Sequence, residues 1–106
     1  MNGTVQSLLT QLRSELEKVY GERLRGLYLY GSYARGEQQW DSDVDVLIVL
    51  DRIKSYGAEI DFSGEPIARL SLDYGVSVSR VFVSEDAWRN GTGSFLANVR
   101  EEGIAA

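Results

Sequence analysis

Apolar residues recur at three- and four-residue intervals through Val5, Leu8, Leu9, Leu12, Leu16 and Val19, a single helical stripe with Thr4 as its N-cap and Gly21 as its stop. The period then changes. Leu24 to Tyr30 is a short apolar and aromatic run that ends at Gly31 and reads as a buried strand, with a helical turn behind it at Tyr33-Ala34-Arg35-Gly36. A polar loop over residues 37–42 leads into Asp43-Val44-Asp45, where acid alternates with valine, and then into a continuous apolar run to Leu50. The alternation puts both carboxylates on one face of the strand. The unbroken run predicts a strand covered on both faces.

Residues 53–74 carry an irregular helical pattern in which Ile60, Ile67 and Leu70 share a face and Gly64 and Pro66 mark a break or restart. A further strand is expected from Val76 to Val83. Ser84-Glu85-Asp86 then offers an N-cap with acids in a first turn, and a last helix runs from Ser94 to Glu102 and stops at Gly103. Helix, strand, strand, helix, strand, helix in 106 residues predicts an α+β fold, one domain over residues 1–106 with a small mixed sheet backed by helices.

Composition narrows the chemistry. With neither cysteine nor histidine, the chain has no thiol nucleophile, no Ser-His-Asp relay and no cysteine- or histidine-bound zinc, so a metal would sit on oxygen ligands. A net charge of −5 disfavours tight binding of free nucleic acid. No stretch approaches a membrane span and the first residues lack a signal-peptide pattern, so a cytoplasmic protein is expected.

The candidate chemistry lies in Gly31-Ser32-Tyr33-Ala34-Arg35-Gly36, six further residues, and Asp43-Val44-Asp45. A glycine ending a buried strand lets the backbone turn tightly and approach a ligand, and Ser32 can offer its N–H and its hydroxyl to a phosphate oxygen. Gly36 serves similarly beyond Arg35. Two carboxylates at i and i+2 repel one another unless a cation such as magnesium lies between them. Arg35 could contact phosphate or pair with Glu37 or Asp41; Tyr28, Tyr30 and Tyr33 could stack on a base or simply pack. Trp40 reads as a lid, a partner contact or local packing, and the acidic tail of the last helix as a solvated face.

Gly31-Ser32, ten intervening residues and Asp43-x-Asp45 after an apolar strand resemble the signature of the minimal nucleotidyltransferases of the polymerase-beta-like superfamily. Leu72-Asp73-Tyr74-Gly75-Val76 and Asn98-Val99-Arg100-Glu101-Glu102-Gly103-Ile104 extend the likeness over nearly the whole chain. The resemblance implies a polymerase-beta-like palm fold, nucleotide binding by Gly31, Ser32, Arg35 and Gly36, and magnesium on Asp43 and Asp45, with Ser32 joining them in catalysis. It further implies transfer of AMP from ATP to a hydroxyl of a partner, a helical HEPN-type toxin in a hetero-oligomer, with this chain as antitoxin. The sequence departs from the pattern on the third strand, where the family carries another acid and Ser77 or Ser79 stands here. Two readings therefore stay open, a slow or one-metal transferase whose third ligand comes from elsewhere, and a non-catalytic antitoxin or nucleotide-binding subunit that neutralises its partner by binding.

Overall fold

The computed structural model describes residues 3–106. Helix α1 (Gly3–Tyr20) passes through one 3₁₀ turn (Gly21–Arg23) into strand β1 (Leu24–Tyr30). The one-turn helix α2 (Ser32–Arg35) follows, then β2 (Val44–Leu50), helix α3 (Tyr56–Tyr74), β3 (Val78–Ser84), helices α4 (Glu85–Asn90) and α5 (Ser94–Glu102), and a two-residue strand β4 (Ile104–Ala105). The sheet order is β3-β2-β1-β4. Strands β1 and β2 are antiparallel, β2 and β3 parallel, and β4 lies antiparallel on the free edge of β1, so the sheet is mixed as expected.

Strand β2 is central, and that position follows from its composition. Val44, Val46, Ile48 and Leu50 face one side, where they join Leu27, Leu29 and Phe82 against the α1 stripe and Ile67 and Leu70 of α3. Leu47 and Val49 face the other, with Val99 of α5 and the rims of Tyr28, Tyr30, Val81, Val83 and Trp88. A strand buried on both faces needs the continuous apolar run seen in its sequence. Asp45 interrupts that run on the second face, near the strand's entrance.

Four expectations need correction. Helix α1 already includes Thr4, which is therefore not its N-cap, and Val19 lies off the buried stripe at 41% exposure. Helix α3 runs unbroken through Gly64 and Pro66. An interior proline costs a helix about 3 kcal/mol, but here Ser63, Pro66, Ile67 and Leu70 form one buried face whose packing outweighs the missing bond. Strand β3 starts at Val78 rather than Val76, because the Val76 N–H turns back to the Ser71 carbonyl and completes the stop of α3 around Gly75. The edge strand β4 was not anticipated.

At the far end of β2 a polar cluster closes the fold. Glu59 is 3% exposed, and its Oε2 accepts from Arg23 Nη2 at 2.7 Å. Arg23 also reaches Asp51 Oδ1 at 3.1 Å and lies over the Tyr20 ring. Tyr20 donates its hydroxyl to the Glu59 carbonyl, and burial, then the Glu59 charge, push the phenol up to about 12. Arg23→Ala would strand the Glu59 carboxylate without its cation, and the expected loss is about 3 kcal/mol, read as a lower urea midpoint at unchanged slope.

Candidate active site

Gly31 sits at φ 76° and ψ −156°, a backbone conformation open essentially to glycine alone. Position also matters, since a β-carbon built there would run into Asp45 Oδ2. The Gly31 carbonyl accepts from the N–H groups of Ala34 and Arg35 at 3.1 and 3.2 Å, which winds residues 32–35 into α2. Gly36, at φ 71°, ends that turn with its N–H on the Ser32 carbonyl. The run from Gly31 to Gly36 is thus one helical turn between two positive-φ glycines, lying over the entrance to β2.

Asp45 pairs in register with Tyr30 on one side and Ser79 on the other. Burial raises its carboxyl pKa, the neighbouring Asp43 charge adds to the rise, and Arg35 opposes it. Asp43 is exposed and lies just ahead of the strand. The two carboxylates share a face with Ser79, while Ser77 lies before β3 and uses its carbonyl to receive the Val44 N–H at 2.8 Å. Of the two serines, Ser79 therefore stands at the place beside Asp45. Among the described residues no cluster of three or more acids, cysteines or histidines converges on a metal position.

The donor set suits a hard divalent cation. Two carboxylates at the rim of the sheet, one raised by its surroundings, match the way magnesium binds, through one or two carboxylates with water and phosphate oxygens completing its shell. Asp43 and Asp45 would hold it.

Arg35 donates through Nε to Glu37 at 3.1 Å and through Nη1 to Glu102 at 3.2 Å. Glu37 was one of the two partners foreseen; Asp41 makes no ion pair with it. Glu102 also accepts the Gly31 N–H at 3.1 Å, so the acidic tail of α5 is not simply a solvated face. Tyr28 packs on Trp88, Tyr30 meets Phe95 edge-on and Tyr33 lies against the main core, so each has a packing partner. Trp40 is 95% exposed, which removes local packing from its readings. Two cavities of about 380 and 460 Å³ lie away from the carboxylates, one along α1 beside Ala106 and one around Arg23 and Phe62.

The sequence profile of the nucleotidyltransferase domain matches residues 9–89, a span holding both glycines and both aspartates. The chain belongs to this family. It is 32% identical over 99 residues, 92% of this chain and 93% of the relative, to a protein of Methanocaldococcus jannaschii named "Putative protein adenylyltransferase MJ0604". It is 43% identical over 51 residues to protein adenylyltransferase MntA of Thermococcus cleftensis, covering 48% of this chain and 50% of that protein. A crystal structure of a toxin–antitoxin with AMP-PNP superposes with a TM-score of 0.63 at 21% identity, over 91% of this chain and 69% of that one. The fold is the polymerase-beta-like nucleotidyltransferase fold, and the expectation of a nucleotidyltransferase is met.

Gly31→Ala would set a methyl against Asp45 and force a left-handed backbone on alanine, an expected cost of about 1–3 kcal/mol, measurable by chemical denaturation. Asp45 supplies a pH test. An acid with a raised folded-state pKa weakens the fold while ionised; the penalty is complete above that pKa, fades as pH falls through it and is gone below the unfolded value. Asp45→Asn should therefore melt higher than the wild type at neutral pH without metal. The gap should close in acid, and added magnesium should raise the melting temperature of the wild type alone.

Proposed function

We propose that this chain transfers AMP from ATP to a hydroxyl of a partner protein, a helical HEPN-type toxin, and acts as its antitoxin. The observation that carries the reading is the pairing of Asp43 and Asp45 on the rim of β2 beneath the Gly31–Gly36 turn, with Asp45 raised by burial and by Asp43. Membership of the nucleotidyltransferase family and similarity to proteins named adenylyltransferases support it.

In this reading Gly31, Ser32, Arg35 and Gly36 bind the triphosphate, through backbone N–H groups, the Ser32 hydroxyl and the guanidinium. Asp43 and Asp45 hold magnesium, which when bound lowers the pKa of the attacking hydroxyl and neutralises the leaving group. The acceptor oxygen bonds to the α-phosphorus, the bond to the β-phosphate oxygen breaks, pyrophosphate departs and the hydroxyl proton passes to water. No imidazole is required, in keeping with a chain that has none. The 106 residues would act as one domain, in the cytoplasm, within a hetero-oligomer formed with the toxin.

Ser79 beside Asp45 favours a second reading, an antitoxin that works by binding alone, since serine brings no charge to a metal. The two separate cleanly. Incubated with ATP, magnesium and a HEPN-type toxin, the wild type should add an adenylyl group to the toxin, seen by intact mass. Asp43→Asn or Asp45→Asn should slow that transfer by about a hundredfold or more while keeping the fold. Full neutralisation of the toxin by these variants, or in the presence of a chelator, would replace transfer with binding.

A further inference from the structure

We propose that Glu102 is a positioning residue for the nucleotide, holding the Gly31 amide and the Arg35 guanidinium in the arrangement that a triphosphate meets. This rests on the nucleotidyl-transfer reading above. The residue lies beyond the 9–89 span of the family profile, at the end of α5.

One carboxylate serves both groups. Glu102 Oε1 takes the Gly31 N–H at 3.1 Å and Arg35 Nη1 at 3.2 Å, and Oε2 lies 3.3 Å from the same Nη1. With Glu37 on Nε, the guanidinium is held from two sides, and its Nη2 donates no hydrogen bond among the described residues. That leaves the Nη2 donors for a ligand.

The placement does nothing for α5 itself. An acid in the last turn of a helix faces the negative end of its dipole, and Glu101 adds a like charge beside it. The benefit falls on the Gly31–Arg35 turn.

Helix α5 is fastened independently of this contact, which makes it a firm support. Val99 is buried at 1% exposure, Phe95 packs on Tyr30, and Arg100 donates to the carbonyls of Ala87, Trp88 and Gly91. A long arginine held in advance loses less rotamer freedom when phosphate arrives. An anion that merely filled the phosphate position would act in the opposite sense, because its removal would tighten binding.

The sign of the effect decides. Magnesium–ATP affinity would be measured by calorimetry for the wild type, E102Q, E102A, R35A and R35A/E102Q, with a melting curve for each. Glutamine keeps an acceptor for the Gly31 N–H but loses the charge, so E102Q should weaken binding about threefold and E102A about tenfold. In the R35A background the E102Q effect should disappear, whereas a merely structural role would cost the same in both. In transfer assays the KM for ATP should rise more than kcat falls. Unchanged or tighter binding by E102Q, or an equal loss with and without Arg35, would overturn the assignment while leaving nucleotidyl transfer intact. A wild type that binds no magnesium–ATP would overturn both.

Discussion

Asp45 occupies the volume that a β-carbon on residue 31 would need, and the site is built around that exclusion. Because position 31 must be glycine, β1 can end in a positive-φ turn that winds straight into α2 and carries Arg35 back over the strands. Because Asp45 stands on the central strand, its neighbours are set by register, Tyr30 to one side and Ser79 to the other. The apolar residues that follow it are buried on both faces, so the carboxylate cannot slide along the strand without moving the core. A close contact between the smallest residue and an acid thus ties the turn, the carboxylate and the sheet into one unit.

The two ends of β2 show how differently one strand can treat an acid. Asp51, just past its last residue, would be raised by burial, yet the Arg52 amide and the Arg23 guanidinium bring its pKa below the usual carboxylate range. That end is neutralised and closes the fold. At the other end Asp45 moves in the opposite sense, with a second carboxylate beside it and its nearest guanidinium engaged by Glu37 and Glu102. Unneutralised charge at a strand entrance is destabilising for the free protein and useful to one that binds a cation there.

Local pattern carried much of this into the sequence. Strand β1 and helix α5 fall where periodicity and their glycine stops place them, and the i, i+2 spacing of Asp43 and Asp45 needs nothing from the rest of the chain. What escaped was set by tertiary packing. Pro66 looks like a break because a proline ordinarily is one, and only the face buried with Ser63, Ile67 and Leu70 reverses that. Two residues of β4 are too few to show a period. Glu102 lies 71 positions from Gly31, and no spacing rule links an acid in a last turn to an amide so far back along the chain. The choice between Ser77 and Ser79 needed the β2–β3 register. Both were visible as residues, but only pairing says which one faces Asp45.

The chain's two tryptophans live in unlike surroundings. Trp88 is stacked on Tyr28 with the Arg100 guanidinium over its ring, whereas Trp40 projects into water from the loop that enters β2, five residues before Asp45. Their fluorescence is therefore separable, a part-buried indole that reports on the α4–α5 layer and a hydrated one that reports on the loop entering β2. Whatever covers the loop at Trp40 strips water from its indole, so the molecule carries an optical gauge of cover at the entrance to β2.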